Sequence, residues 1–255
     1  GNVVHYSFPA SWDGTGVSPQ VVTDLSGAGN DGMTSGGAAL SSNVPPGPPG
    51  SGTMTLNSAG EGGVLTDNMN LLENPAIAAA GGFNFRTWFY WDGNDGNRSV
   101  QKIIDNEGTE SLQLNNIDST GGTADLEFRF NDQPGGPTLP IVANTWYLAR
   151  GVFDTGGAPL GPNGEISGAA TLYANGAGAV ASITRETAAS IPGFDTSDEL
   201  DRPIAFGVLA LPVVPTIVNL SGDIYDPSVG LGIPEPASLM LTLAACCGLA
   251  SMRRR

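Results

Sequence analysis

Cysteine, histidine and basic residues are scarce in this sequence. Its 255 residues include two cysteines, one histidine and ten lysines or arginines, against 25 aspartates or glutamates. Cys246 and Cys247 are adjacent and lie in the last apolar run, so the body of the chain has no disulfide framework. The net charge of -15 makes nucleic acid a poor partner, because an acidic surface repels phosphate groups. Cations, neutral polymers and other proteins remain as candidate partners.

Helical patterns are also scarce. The chain has 37 Gly and 19 Pro, which keep helices short, but it lacks the Gly-X-Y period of collagen. Hydrophobic residues make up 40% of the chain, which is enough for one sizeable core. Residues 71–80 show the one helix-like pattern, and Pro75 interrupts it. The composition therefore favours a single loop-rich β domain.

Short runs of alternating polarity, separated by Gly, Asn, Asp and Pro, predict antiparallel strands. Leu126, Phe128 and Phe130 share one face of such a run, while Glu127 and Arg129 lie on the other face. The other predicted strands are 4–8, 83–91, 100–105, 111–114, 146–153, 169–174, 179–184, 204–209 and 220–224. This pattern predicts an all-β, antiparallel two-sheet sandwich.

The end of the chain has a distinct order of segments. A short motif, an uncharged apolar stretch at 237–252 and a basic cluster follow one another: the motif is Pro234, Glu235 and Pro236, and the cluster is Arg253, Arg254 and Arg255. The prolines favour an extended, accessible segment before the apolar stretch. That stretch predicts a single helix that is marginally long enough to cross a bilayer. The arginines would orient it with the C-terminus in the cytoplasm and residues 1–232 outside.

This order resembles the PEP-CTERM sorting signal of Gram-negative bacteria, over residues 233–255. The resemblance implies export, insertion into the inner membrane, and recognition by an exosortase-type processing enzyme. Delivery to the cell surface or the extracellular matrix would follow. An ordinary C-terminal membrane anchor is the alternative. Because the sequence starts at Gly1 rather than Met, we also expect that a secretory leader has been removed or omitted.

Six pieces of the body are similar, in order, to segments of the laminin G-like family, which has the concanavalin A-like jelly-roll fold. They are 5–8, 23–32, 85–89, 144–150, 171–176 and 220–226. The second piece reads TDLSGAGNDG and the last reads LSGDIYD. The resemblance implies one jelly-roll domain over residues 1–232. Pro227 and Ser228 depart from the family pattern and predict that the closing strand is cut short after Asp226.

Catalytic patterns are weak. His5, the single histidine, lies on the polar face of the first predicted strand, and no Gly-x-Ser-x-Gly elbow accompanies it. Some enzymes of this fold use a Glu-x-Asp-x-x-Glu strand. Glu199 and Asp201 begin that pattern, but Ile204 replaces its second Glu. We therefore expect a non-enzymatic protein. A polysaccharide-active hydrolase or lyase and a purely structural matrix component are the alternatives.

Calcium is the cofactor that the sequence suggests. Acidic loops rich in Gly and Asn supply the oxygen ligands that this ion takes, and the family resemblance implies calcium at the rim of the sandwich. The candidate ligands are Asp24, Asn30 and Asp31, with Asp223 or Asp226 from the closing strand. Asx-turns and loop capping are the alternative role for these side chains.

The four tryptophans are candidates for a sugar-binding platform. Trp88 and Trp146 lie within strand patterns and are predicted to be in the core. Trp12 and Trp91 each precede an Asp-Gly pair at the end of a strand or loop, so we expect them to be exposed and able to bind a ligand. The expected function is adhesion to extracellular polysaccharide or to a surface protein.

Overall fold

The computed structural model describes residues 1–8, 20–35, 38–46, 53–56, 63–69, 71–94, 99–106, 110–130, 136–185, 203–207 and 220–233. This part of the chain contains sixteen strands and one short helix. In chain order they are β1 (Asn2–His5), β2 (Val21–Val22), β3 (Gly32–Ser35), β4 (Ala39–Ser41), β5 (Thr53–Leu56), β6 (Gly63–Met69), α1 (Asn74–Ala80), β7 (Gly82–Trp91), β8 (Gln101–Asn106), β9 (Glu110–Asp118), β10 (Thr123–Phe130), β11 (Thr138–Val142), β12 (Thr145–Asp154), β13 (Ile166–Ala174), β14 (Ala177–Arg185), β15 (Pro203–Phe206) and β16 (Gly222–Leu231). Each predicted strand coincides with or overlaps one of these, so the all-β prediction is confirmed.

The strands form two antiparallel sheets. Sheet A has the order β14-β13-β12-β7-β16-β5-β4, and β1 also pairs with β16. Sheet B has the order β11-β10-β9-β8-β15-β6-β3-β2. In the centre of sheet A, β7 and β12 pair along their whole lengths, from Thr145 opposite Trp91 to Asp154 opposite Gly82. The predicted two-sheet antiparallel sandwich is confirmed.

Aromatic side chains fill the space between the sheets. Phe83 and Phe85 of β7 meet Phe128 and Phe130 of β10, and all four are buried. The ring centroids of Phe85 and Phe128 are 5.7 Å apart, and those of Phe83 and Phe130 are 6.2 Å apart. Complete burial of one such side chain stabilises a fold by about 1.5–3 kcal/mol. This cluster therefore holds the inner faces of sheets A and B together.

Strand β16 does not stop at Asp226, so the prediction that Pro227 and Ser228 cut it short is wrong. The strand runs Gly222–Leu231 and pairs with β7 on both sides of the proline. A bulge accommodates the missing N–H: the register shifts between Tyr225 and Ser228, and Asp226 has a φ of 53°. On its other side β16 pairs with β5 and with β1, so it is an interior strand.

Helix α1 corresponds to the helix-like pattern near residues 71–80. Pro75 lies in its first turn, where no backbone N–H is needed for a helical hydrogen bond. Gly81 ends the helix in a left-handed conformation with a φ of 78°. The proline therefore lies within the first turn of the helix, and the prediction that it interrupts the helix is wrong.

The predicted sorting segment lies beyond the region that the structure describes. Residues 234–255 contain the whole Pro-Glu-Pro motif, the apolar stretch at 237–252 and the arginine cluster, and all fall outside the described residues. Among the described residues, no helix has the length and apolar character needed to span a membrane. The C-terminal helix stays a prediction.

Candidate functional site

The loop between β2 and β3 is held by the carboxylate of Asp24. Its Oδ1 accepts hydrogen bonds from the backbone N–H groups of His5 and Ser26, both at 2.9 Å. Its Oδ2 accepts from the Ser26 hydroxyl at 2.6 Å and from the Asn30 N–H at 3.0 Å. The Asp24 N–H in turn donates to Asp31 Oδ1 at 2.8 Å. Asp24 therefore caps this loop. Loop capping is the role that the sequence offered as the alternative to calcium binding.

The hydrogen bonds around Asp24 also decide its charge. Burial raises the pKa of this carboxyl, but hydrogen bonds from Ser26, Asn30 and His5 outweigh burial and hold the pKa below its usual range. Asp24 is therefore ionised at neutral pH. Both of its carboxylate oxygens can then accept the four hydrogen bonds that hold the loop.

The predicted calcium ligands of the closing strand form hydrogen bonds with other side chains. Asp226 Oδ1 is 2.7 Å from His5 Nε2, and Asp223 Oδ2 accepts from Asn43 Nδ2 at 2.6 Å. The described residues contain no group of three or more His, Cys, Asp or Glu that is placed to hold a metal. An ion at Asp24 would have to displace four hydrogen-bond donors, so the residues as arranged do not fit a calcium site. Calcium binding stays a prediction from the sequence.

Trp91 is fully buried, so the prediction that it is exposed and binds a ligand is wrong. It is 0% exposed, like Phe89 on the same face of β7, and its Nε1 donates to the carbonyl of Asn94 at 3.1 Å. Trp88 lies on the opposite face and is half-buried, so its predicted place in the core is also wrong. Trp12 lies outside the described residues.

A cleft of about 540 Å³ opens on the outer face of sheet A, across β7, β12 and β13. Its lining residues are Arg86, Trp88, Leu148, Arg150, Tyr173, Asn175 and Gly176. Side chains alternate between the two faces of a strand, so the inward phenylalanines of β7 leave Arg86 and Trp88 on the outer face. None of these residues was predicted from the sequence to form a site.

The strand register arranges the lining side chains in two rows. In the first row, Arg150 of β12 lies directly opposite Tyr173 of β13 on one side and Arg86 of β7 on the other. In the second row, Leu148 lies opposite Trp88. Side chains directly opposite in antiparallel strands have Cβ atoms about 4.5–5.5 Å apart, so neighbours in each row lie close together. The cleft therefore combines two aromatic rings, one aliphatic side chain and two guanidinium groups.

In the described part of the chain, one carboxylate lies beside the two arginines of the cleft. Arg86 Nη1 is 3.5 Å from Asp226 Oδ2, and the other oxygen of that carboxylate is bonded to His5. Arg150 forms no ion pair with a carboxylate in the described part of the chain. Burial lowers the pKa of Arg150. Tyr173 opposes that shift and Arg86 adds to it. Arginine keeps its proton at neutral pH, so the cleft is a positive patch on an acidic protein.

An Asn-Gly turn closes one end of the cleft. Asn175 and Gly176 join β13 to β14 with φ values of 47° and 91°, the left-handed geometry that a two-residue hairpin needs. Asn175 Oδ1 accepts from the Leu148 N–H at 2.8 Å, and its Nδ2 donates to the Trp146 carbonyl at 2.9 Å. These bonds attach the turn to β12 and set the position of the cleft wall.

A further aromatic row continues beyond the cleft on the same face. Trp146 lies opposite Tyr90, with ring centroids 5.6 Å apart. Trp146 Nε1 donates to Asn43 Oδ1 at 3.2 Å, and the Tyr90 hydroxyl donates to Asn144 Oδ1 at 2.8 Å. Trp146 is half-buried on this outer face, so its predicted place in the core is wrong. The aromatic surface is therefore wider than the cleft itself.

Polar side chains on the outer face of sheet B are buried and bonded to one another. Lys102 Nζ is 3.0 Å from Asp105 Oδ1 and donates to the Ser111 hydroxyl at 2.9 Å. Gln113 Nε2 donates to Glu127 Oε2 at 2.8 Å. None of these five residues is more than 7% exposed. The charges of Lys102 and Asp105 are paired within the protein.

No family model matches this chain, and no curated protein matches it. Several solved structures are similar to it, of which three are described. A receptor binding domain aligns with a TM-score of 0.54 and 14% identity, over 96% of this chain and 50% of that one. The botulinum neurotoxin serotype D/C VPI 5993 binding domain aligns with a TM-score of 0.52 and 15% identity, over 92% and 49%. The binding domain of botulinum neurotoxin DC in complex with SialylT aligns with a TM-score of 0.50 and 12% identity, over 96% and 51%.

These similarities concern the fold alone, because the identities are low. They agree with an all-β sandwich of two antiparallel sheets. The chain spans about half the length of the solved chains that it matches.

Proposed function

We propose that this chain is a non-catalytic adhesion domain that binds carbohydrate, with the cleft of sheet A as its sugar site. The observation that carries the proposal is the placement of Trp88 and Tyr173 beside Arg86 and Arg150 in one cleft. Aromatic rings provide flat apolar contact for the faces of sugar rings, and guanidinium N–H groups donate hydrogen bonds to oxygens. The volume of about 540 Å³ is within the range of about 300–1,000 Å³ that is usual for small-ligand sites.

The solved structures add support of a weaker kind. All three are binding domains, and one of them holds SialylT. A shared fold does not transfer a ligand, so the residues of the cleft carry the proposal. For residues 1–232 we propose the concanavalin A-like jelly roll as the finer description of the sandwich.

A binding experiment with a tryptophan variant tests the sugar site. A glycan array identifies binders of the full chain, and calorimetry then compares their affinity for the wild type and for Trp88→Ala. Loss of the ring contact should weaken binding about tenfold. Val180→Ala is the control, because Val180 is 70% exposed on β14 and is not a lining residue of the cleft. Binding that is unaffected by Trp88→Ala, or no saturable binding, would overturn the proposal.

The same samples test the enzymatic alternative. Each polysaccharide that binds is incubated with the chain and assayed for new reducing ends and for unsaturated products. We expect neither product, because the proposed role is adhesion. Turnover that Trp88→Ala abolishes would replace the adhesion domain with a hydrolase or lyase.

We further propose that residues 233–255 direct the domain to the cell surface or the extracellular polysaccharide matrix. Support comes from the order of the Pro-Glu-Pro motif, the apolar stretch and the arginine cluster. Replacement of Pro234, Glu235 and Pro236 by alanine, in a bacterium with an exosortase, should leave the protein in the inner membrane. Cell fractionation measures this, and surface delivery equal to that of the wild type would contradict it.

A further inference from the structure

Two arginines directly opposite each other are an unexpected arrangement in this chain. The protein has ten basic residues against 25 acidic ones, yet Arg86 and Arg150 are cross-strand neighbours. Like charges directly opposite on neighbouring strands destabilise a sheet. A bound anion would remove that repulsion, so the pair indicates a negatively charged ligand.

In the described part of the chain, one carboxylate forms an ion pair with Arg86 and none forms one with Arg150. Asp226 reaches Arg86 with one oxygen at 3.5 Å, while its other oxygen is 2.7 Å from His5 Nε2. Arg150 is half-buried and, among the residues described, has no acidic partner. Half-burial reduces screening by water and salt, so an anion would be held more firmly there than at an exposed arginine. The planar guanidinium can bind a carboxylate through two parallel hydrogen bonds.

The remaining lining groups favour a ring beside the charge. Tyr173 is 43% exposed, and Trp88 and Leu148 are half-buried, so all three offer apolar surface to a ligand. Such surface suits the CH face of a sugar ring. The net charge of -15 disfavours a densely charged polymer such as nucleic acid. A short acidic oligosaccharide, which combines sugar rings with only a few carboxylates, fits both conditions.

We infer that the cleft binds an acidic saccharide, with the carboxylate of a uronic acid between Arg86 and Arg150 and its ring against Trp88 and Tyr173. The inference rests on the proposed function, because it takes the cleft as the sugar site. It adds the chemical class of the sugar. It also assigns the two arginines to the carboxylate and the two aromatic side chains to the ring.

Calorimetry with matched acid and ester probes tests this inference. The full chain is titrated with oligomers of galacturonate, mannuronate and glucuronate, and with the methyl ester of each, which keeps the ring and removes the charge. We expect at least one acid to bind about tenfold more tightly than its ester, because hydrogen bonds to charged groups are the stronger ones. Inorganic sulfate is titrated alongside as an anion without a ring.

Two variants assign the preference to the cleft. Arg86→Gln and Arg150→Gln should each remove most of the preference for acid over ester. Arg129→Gln is the matched control, because it removes the same charge from β10 of sheet B, and it should leave the preference unchanged. The thermal midpoint of every variant is measured to show that it is folded.

The outcomes separate failure of the inference from failure of the proposed function. Equal binding of acid and ester, weakened by Trp88→Ala, would overturn the acidic ligand and leave the sugar site standing. Preferential binding of neutral glycans through the cleft would do the same. Sulfate that binds as tightly as the oligomers would overturn the role of the sugar ring. No binding of any saccharide would overturn both proposals.

Discussion

The outer faces of the two sheets differ in the burial and pairing of their charged side chains. On sheet B, Lys102 and Asp105 are buried and paired at 3.0 Å. On sheet A, Arg86 and Arg150 lie opposite each other in an accessible cleft, and among the described residues a single carboxylate, that of Asp226, reaches Arg86 at 3.5 Å. A buried charge costs much free energy unless it is paired, whereas an accessible cation remains hydrated until a ligand arrives. The charges on the outer face of sheet B therefore support the fold, whereas those on the outer face of sheet A are available for binding.

The largest effect is expected when the buried pair of sheet B is broken. Lys102→Met would remove the ion pair with the fully buried Asp105, and removal of one partner of such a pair costs about 3–5 kcal/mol. Urea denaturation measures the free energy of unfolding. Lys102→Met combined with Asp105→Leu is the control and should recover much of the loss, because both charges of the pair are removed together. A single variant within about 1 kcal/mol of the wild type would contradict the structural role of the pair.

The loop cap at Asp24 should have the next largest effect. Asp24→Ala leaves the N–H groups of His5, Ser26 and Asn30 without their acceptor, which should cost about 2–3 kcal/mol. Urea denaturation at neutral pH measures this cost. Asp31→Ala is the comparison, because Asp31 accepts only one of the loop's hydrogen bonds described above and should cost less.

The pH dependence checks the same cap independently. The pKa of Asp24 is lowered in the fold, so its contribution is fully present above the unfolded pKa of about 3.9 and is lost as the pH falls through the folded pKa. The difference in stability between the wild type and Asp24→Asn should therefore shrink below about pH 4. A difference that stays constant to lower pH would show that the charge of Asp24 is not involved.

The hairpin turn at the cleft should show a smaller effect. Asn175→Ala loses two side-chain hydrogen bonds and places alanine at a φ of 47°, at a cost of about 1–2 kcal/mol. Asn175→Gly keeps the backbone geometry and isolates the loss of the hydrogen bonds. Thermal unfolding compares the two variants. An alanine variant as stable as the glycine variant would show that the left-handed geometry is not the cause.

The smallest effect on stability is expected for the exposed arginine of sheet A. Arg86→Met removes only a surface contact with Asp226, so the free energy of unfolding should change by about 1 kcal/mol or less. Its urea denaturation is run beside that of Lys102→Met. A loss as large as that of the buried lysine would abolish the distinction between the two faces.

Alternation along β7 shows how much of the site could be predicted from the sequence. Phe85 and Phe89 occupy odd positions and are buried, and Trp91 shares their face. Trp88 shares the face of Arg86 and is therefore directed outward. The prediction that Trp91 is exposed relied on the Asp-Gly pair that follows it. The alternation of side chains along the strand was the better signal, because it assigns Trp91 to the inner face and Trp88 to the outer face.

Other features depend on contacts between distant parts of the chain. The opposition of Arg86 and Arg150 follows from the register of β7 with β12, and no local pattern specifies that register. The bulge at Asp226 is equally non-local, because pairing with β7 on both sides of Pro227 keeps the strand continuous. Local rules for proline predicted a strand end, and the neighbouring strands prevented it.

The sequence by itself determined the all-β class, the positions of most strands and, in strands with clear alternation such as 126–130, the face that carries the large apolar side chains. These properties are local, since the alternation of side chains and the conformations of Gly and Pro act over a few residues. Tertiary structure decided which strands are neighbours, in which register they pair, and therefore which outward side chains meet in the cleft. Sheet order and register depend on the packing of two complete sheets against each other, so they are properties of the whole fold.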